Sequence, residues 1–405
     1  MVKFASKKLE PGMVTAKAIE TKRGQVIADE GTILNQQLIA RLSFYGIEEV
    51  MVTDDSAALS SDNKIEVDLD ELLDDLDDIT TKDDSSDDII IEPIPETVTE
   101  VTSEPVKHNE NLSYTNRVKS SQNFQKFQTD YSKNMVSLKL YFDKIINGEI
   151  EDDFEKNLLR EPRDLFASKT PLEIFDMVHN MRSVDDSVYA HSLNVALIAR
   201  AIGKWLKFSK EDLNTLTIAG LLHDIGKTKI PEEILNKQDR LTDEEYQIIK
   251  KHALDGYKML KDKPFDTRIK LAALQHHERF DGSGYPRGLD GDEIDGFASI
   301  IAIADVYDAM TAARSYRSAM CAFQVISEFE KDGFQKYNPK VIFTFLKRVA
   351  GCYINSRVLI SDGRHGIVVF LNTNSLSRPI LKLDNGEMLD LSSQENRELH
   401  ITNIL

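Results

Sequence analysis

His223-Asp224-Ile225-Gly226-Lys227 sets two metal-type ligands side by side at the end of an apolar run. Around it, residues 171–350 carry apolar side chains at spacings of three and four. The pattern predicts helices over Leu172–Met181, Val188–Leu206, Lys210–Leu222, Asp243–Leu260, Thr267–His277, Ala298–Thr311 and Ala322–Glu330. Ser209, Thr242 and Asp266 supply starts, because a short polar side chain ahead of the first turn accepts a backbone N–H that has no partner inside the helix. Glycine-containing loops supply the stops. The fold class is mainly α, an all-helical bundle.

Outward from the bundle the texture changes. Beyond Gly351, residues 351–405 hold β-rich runs (Arg357–Ile360, Gly366–Leu371, Pro379–Leu383, Leu399–Ile401) punctuated by Asp362-Gly363 and Asn385-Gly386, which are hairpin signals. They suffice for a small β-rich appendage with no catalytic constellation of its own. Upstream, residues 113–170 form a helical connector. Phe124, Phe127, Tyr131, Met135, Leu138, Phe142 and Ile145 recur at a near-heptad interval. That stripe could pair two chains as a short coiled coil or pack on the next domain, and its aromatic character favours packing. Residues 1–53 read as a small mixed α/β domain, with strands over Val14–Ile19, Gln25–Ala28 and Val50–Val52 and a helix from Asn35 to about Tyr45.

Residues 54–112 separate the two. From Asp54 to Glu110 there are 20 acidic residues against three lysines, almost no aromatics, and spaced prolines, the composition of a disordered linker. The net charge of −18 therefore belongs to one segment, since the rest of the chain holds 47 basic and 48 acidic residues. No apolar run approaches the roughly 20 residues that span a bilayer, and the N-terminus lacks an apolar export core, so no membrane insertion and a cytoplasmic location are expected. Cys321 and Cys352 have no CxxC spacing and are assigned to packing.

Six of nine histidines fall between His179 and His277. One histidine on an apolar helix is usually a satisfied core residue. Here His191, His223, His252, His276 and His277 stand beside Asp224 and Asp305, and each would be costly to bury unless paired or ligated. Asp305 interrupts Ile300-Ile301-Ala302-Ile303-Ala304, where a carboxylate wants a cation. Neutral imidazoles mixed with carboxylates, without thiolate, suit iron, manganese or zinc. Seven candidate ligands exceed the needs of one ion that keeps a place for water, so two ions are implied. Asp224 is the natural bridge between them, with the shared water activated as nucleophile.

His191, His223-Asp224 and Asp305 together resemble the HD superfamily of metal-dependent phosphohydrolases. His276-His277-Glu278, followed by Asp281-Gly282-Ser283-Gly284-Tyr285-Pro286, resembles the signature of its HD-GYP subgroup over about residues 175–345. The resemblance implies an HD-type helical bundle and a cyclic di-GMP phosphodiesterase. Such an enzyme yields pGpG, and GMP if cleavage continues, by attack of a metal-bridging hydroxide. It implies His191, His223, Asp224, His252, His276, His277 and Asp305 as ligands of two divalent ions, iron or manganese. Asp224 and Lys227 are the implied catalytic residues, and Lys227, Gly284, Tyr285, Arg314 and Arg317 the substrate-binding ones. Ser187 stands where some members carry a glutamate that helps hold a third ion, and Asn338 where an aspartate before the proline is commoner. The expected ligand is a cyclic dinucleotide rather than a DNA or RNA polymer, with a homodimer, or a protein partner at the N-terminal domain or acidic linker, as further associations. Two alternatives stay open: a receptor that binds cyclic di-GMP without turnover, and a phosphohydrolase of another nucleotide.

Overall fold

Three side-chain bonds begin helices that carry the candidate ligands or end on them. Ser209 accepts from Asp212 N, Thr242 from Glu245 N and Asp266 from Arg268 N, and the Glu245 carboxylate returns a bond to the Thr242 backbone to complete a capping box. The architecture is that of a computed structural model. It describes residues 2–20, 26–34, 38–39, 42, 47, 49–53, 121–151, 153–160, 162–166, 169–181, 187–235, 237, 239–312 and 320–405. The acidic segment 54–112 lies outside these residues, as does most of the helix expected from Asn35 to Tyr45.

The chain divides into two compact units, residues 1–117 and 118–405. In the first, β1 (Val2–Ala5), β2 (Ile19–Glu20), β3 (Val26–Ala28) and β4 (Glu49–Val52) form two antiparallel pairs, β1 with β4 and β2 with β3. The strand expected over Val14–Ile19 is shorter than its sequence pattern suggested. Val14 and Thr15 make only isolated bridges, to Ile33 and Val52.

The second unit opens with α1 (Gln122–Asn147). Its aromatic stripe is buried within the unit, with Phe124, Phe127, Tyr131, Leu138, Phe142 and Ile145 turned inward. The stripe is thus a packing face, and it is not open to a second chain. Asn134 takes the buried place expected for Met135, because the inward face follows the helix's own 3.6-residue turn. There follow α2 (Phe154–Arg160), α3 (Arg163–Phe166), α4 (Pro171–Met181), α5 (Val188–Trp205), α6 (Lys210–Leu222), α7 (Glu232–Leu235), α8 (Asp243–Leu260), α9 (Thr267–Gln275), α10 (Gly296–Thr311), α11 (Ala322–Lys336) and α12 (Pro339–Gly351). The Tyr131 hydroxyl lies 2.7 Å from Asn194 Oδ1 on α5, tying α1 to a helix that carries a candidate ligand.

α5 and α6 touch backbone to backbone. A methyl group on Gly220 would stand 2.6 Å from Ala196 Cα, so glycine is what lets the two axes close. α10 contributes fully buried Ile301, Ile303 and Ala304. Burying one such isoleucine stabilises by about 1.5–3 kcal/mol, which holds this helix against α5 and α9. Several helices differ from expectation: α11 runs past Glu330 to Lys336 and α10 begins two residues early at Gly296, besides the two that follow. α9 ends at Gln275, because Glu278 N takes the Gln275 carbonyl (2.8 Å) in a tight turn that leaves His276 as the cap. α12 was not among the expected helices; Asn338 caps it by accepting from Lys340 N and Val341 N, with Pro339 in its first turn.

β5 (Arg357–Ile360), β6 (His365–Phe370), β7 (Ile380–Leu383), β8 (Met388–Asp390) and β9 (Ile401–Ile404) form one antiparallel sheet in the order β8-β7-β6-β5-β9. Its hairpins turn at Gly363 (φ +88°) and Gly386 (φ +87°), the left-handed positions glycine tolerates without strain. The sheet is tied to the bundle by the buried Glu330 carboxylate of α11, which accepts from Leu376 N at 2.6 Å and from Ser377 N. Among the described residues, no helix is long and apolar enough to cross a membrane.

Candidate metal centre

The histidines are oriented before any ligand is considered. His223 Nδ1 donates to Gly220 O (2.8 Å), His252 Nδ1 to Ile249 O (2.6 Å) and His276 Nδ1 to Ala272 O (2.9 Å). Each bond is to a carbonyl about one turn back, so Nδ1 must carry the proton and Nε2 keeps its lone pair. The Nε2 atoms of His252 and His276 then converge with that of His277. His252 Nε2 lies 3.2 Å from His276 Nε2 and 3.1 Å from His277 Nε2, a spacing at which bare lone pairs repel and a shared cation relieves the repulsion.

Asp224 lies between two ligand groups. With His252, His276 and His277 it forms one constellation, and with His191 and His223 another. Its Oδ1 is 3.3 Å from His252 Nε2, and its Oδ2 is 3.3 Å from His223 Nε2 and 3.4 Å from His191 Nε2. Asp305 adjoins both groups, 3.1 Å from His191 Nε2 and 3.9 Å from His277 Nδ1. Asp224 is 1% exposed, and neither of its oxygens, nor His223 Nε2, has an aligned hydrogen-bond donor. The Lys227 ammonium, 2.5 Å from Oδ2, balances one charge of the two carboxylates. Buried acceptors without donors, from two residue types that both ligate first-row metals, fit a pair of cations sharing Asp224.

Electrostatics keep His223, His252, His277, Asp224 and Asp305 in the ligating state, whereas His191 is biased toward its protonated form. Burial pushes His252 down to about 4, and lowers His223 and His277 as well, so these rings are neutral at physiological pH. Burial alone would raise Asp224, but Lys227 and His223 hold it well below the ordinary carboxylate range. His191 does the same for Asp305. His191 itself is raised despite burial, because Asp224, Asp305 and Asp308 all face it.

Two residues have a part in the centre that the sequence does not assign them. Asp308 Oδ2 lies 2.8 Å from His191 Nδ1 and so orients that ring as the carbonyls orient the others. Its place three residues after Asp305, on the same helical face, was the available signal. Glu278 is 2% exposed, and its carboxylate accepts from Arg287 N (2.7 Å) and Leu289 N (3.0 Å), clasping the loop that follows. The sequence signature includes Glu278 beside His277 but gives it no role of its own.

Tyr285 stacks on His277, with ring centroids 4.7 Å apart and planes at 24°. The close approach at Gly284 is to the chain's own backbone. A methyl group there would stand 2.3 Å from Arg279 N and 2.4 Å from Glu278 Cα, so glycine is needed for the loop to fold onto its own root. Ser187 Oγ accepts from Ala190 N as the cap of α5. Arg314 and Arg317 lie outside the described residues.

The HD domain family model matches residues 174–341. Over 238 residues the chain is 32% identical to the cyclic di-GMP phosphodiesterase PA4108 of Pseudomonas aeruginosa, covering 58% of this chain and 55% of that one. It is 36% identical over 178 residues to a cyclic di-GMP phosphodiesterase of Thermotoga maritima, covering 44% and 48%. Against the 3'3'-cGAMP-specific phosphodiesterase 1 of Vibrio cholerae it is 41% identical over 159 residues, covering 38% and 37%. The chain thus spans about half, or less, of the length of these relatives.

Proposed function

We propose that this chain, whose residues 174–341 form an HD domain, is a phosphodiesterase that opens a cyclic dinucleotide at a two-cation site, with cyclic di-GMP the substrate its relatives favour. The observation that carries the reading is the position of Asp224 between two histidine groups, buried and without aligned donors. Asp224 with His252, His276 and His277 would hold one divalent cation, and Asp224 with His191 and His223 the other, with Asp305 adjoining both. Iron or manganese suits this donor set. Bound there, the pair supplies Lewis-acid stabilisation to phosphate oxygens and brings the pKa of water toward neutrality.

The protein's own part is positioning and charge. Nδ1–H bonds hold three imidazoles with Nε2 inward, and burial keeps bulk water away from Asp224. Lys227, 22% exposed and 2.5 Å from Asp224, is placed to meet a phosphate oxygen while balancing that carboxylate. Breaking one P–O3′ bond yields linear pGpG, and breaking the second yields GMP. Arg314 and Arg317 are proposed to hold the substrate's phosphates, as bidentate donors.

The 3'3'-cGAMP-specific relative makes a mixed dinucleotide the second reading. Purified protein is to be analysed for metal content, then incubated with cyclic di-GMP and with 3'3'-cGAMP, and the products identified by mass spectrometry. Two ions per chain and linear product from cyclic di-GMP are expected, with turnover abolished in Asp224→Ala and His223→Ala. Full turnover in either variant overturns the assignment, and turnover of cGAMP alone replaces the substrate.

A further inference from the structure

A ladder of rings and one cation leads from the metal centre to solvent. His277 stacks against Tyr285, the Lys250 ammonium stands over the Tyr285 ring at 5.2 Å, and it is 4.9 Å from the Tyr246 ring centroid. Tyr246 and Lys250 are four apart on α8 and so share a face. Tyr246 is 44% exposed, whereas Tyr285 is half-buried with one face already against His277. The ring that can receive a base is therefore Tyr246. Lys250 forms no ion pair with a carboxylate among the described residues, and its ammonium faces two rings. A lysine held by aromatic faces keeps its donors available, since a ring attracts the charge without occupying every N–H.

We infer that Tyr246 and Lys250 form a guanine-reading subsite beside the metal centre, Tyr246 stacking on the base and Lys250 donating to its O6 and N7. The inference rests on the cyclic dinucleotide reading of the site and adds a base preference to it. Guanine presents two adjacent acceptors along that edge. Adenine presents one acceptor and an amino donor, which an ammonium group cannot use. Stacking, by contrast, is tolerant of base identity, because every base has a π-face. The two residues thus have separable signatures: Tyr246 contributes to any dinucleotide, and Lys250 to guanine.

The test uses the full chain and its Lys250→Met, Tyr246→Ala and Tyr246→Phe variants, each first checked for wild-type metal content as evidence of an intact centre. Cyclic di-GMP is assayed as substrate, and cyclic di-AMP as substrate or as competitive inhibitor. Lys250→Met is expected to lower kcat/KM for cyclic di-GMP by about tenfold, through KM, and to leave the cyclic di-AMP constant within about twofold. Tyr246→Ala is expected to weaken both ligands by about tenfold and Tyr246→Phe to restore them. An equal loss on both ligands in Lys250→Met would mean that the lysine meets phosphate, and would overturn base reading, as would no loss at all. If the wild-type chain, with its metals, turns over no cyclic dinucleotide, the proposed function fails and the subsite falls with it. If the wild type is active and Lys250→Met unchanged, only the subsite fails.

Discussion

Replacing Gly226 by alanine tests how the centre is held together. Gly226 lies in the 3₁₀ turn Ile225–Lys229 directly after Asp224, pressed against α8. An added Cβ would stand 2.0 Å from His252 O, 2.6 Å from Gly256 N and 2.9 Å from His252 C. All three are backbone atoms of a helix and cannot rotate aside. Ordinary contact begins near 3.4 Å, so the turn and α8 must part by about 1.4 Å at the closest point. Asp224 sits on one side of that seam and His252 on the other, with 3.3 Å between Oδ1 and Nε2. Metal–ligand distances tolerate only about 0.2 Å, several times less than the forced shift. Overpacking costs about 1–3 kcal/mol against a domain stability of about 5–15 kcal/mol, so the fold should persist while the centre is damaged. Gly226→Ala is therefore expected to fold, by circular dichroism and a cooperative melt, but to lose at least 10–100-fold in affinity for the ion proposed to lie between Asp224 and His252. Metal titration followed by elemental analysis measures this. Gly296→Ala is the control, because nothing lies within 4 Å of its added methyl. Wild-type metal content and affinity in Gly226→Ala would refute the account of the seam.

Asp308→Asn removes the charged acceptor at His191 Nδ1, and metal affinity or activity should fall about 10–100-fold with the melting profile little changed. Glu278→Gln weakens two charge-assisted bonds to the loop backbone; amide exchange at Arg287 and Leu289 should accelerate while His276 and His277 still bind metal. Arg268 holds Asp212 and Asp266 below the ordinary carboxylate range by direct hydrogen bonds. Depressed folded-state values stabilise above the unfolded carboxylate pKa of about 4, and that contribution disappears as pH falls through the folded values. Urea denaturation should thus show Arg268→Ala destabilised at pH 7 and converging on wild type as the medium is acidified. A gap that stays constant with pH would assign the effect to the packing of Arg268 on Phe297.

Whatever depends on near neighbours in the chain was legible. Ser209, Thr242 and Asp266 cap the helices they were assigned to, because a cap bonds an N–H two or three residues away. The hairpins at Gly363 and Gly386 follow the same rule. Asp305 was legible because a carboxylate in an apolar run has no local remedy. Asp308 was not, since its partner is 117 residues distant and an exposed aspartate on a helix would look the same. α12 was read only through Asn338 as a helix cap, even though Val341, Ile342, Phe345 and Val349 repeat at helical spacing, all of them buried.

The adjacent pair His223 and Asp224 specifies two ligands and no more. Their proposed use as a shared bridge depends on α8 arriving within one atom's width of Gly226, and on Gly220 letting α6 close on α5. Both glycines look in sequence like ordinary small residues, since the atoms they make room for belong to other helices. A glycine's meaning of this kind is tertiary, and it becomes readable only when the missing Cβ is placed against what surrounds it. The same holds for Gly284, whose place in the Gly-Tyr-Pro segment suggested room for a ligand. The room is filled by Glu278 and Arg279, and what the loop presents outward is Tyr285, braced by His277 on the metal side. The proposed base contact lies one step out from the glycine, at Tyr246 and Lys250 on α8, which no motif had singled out.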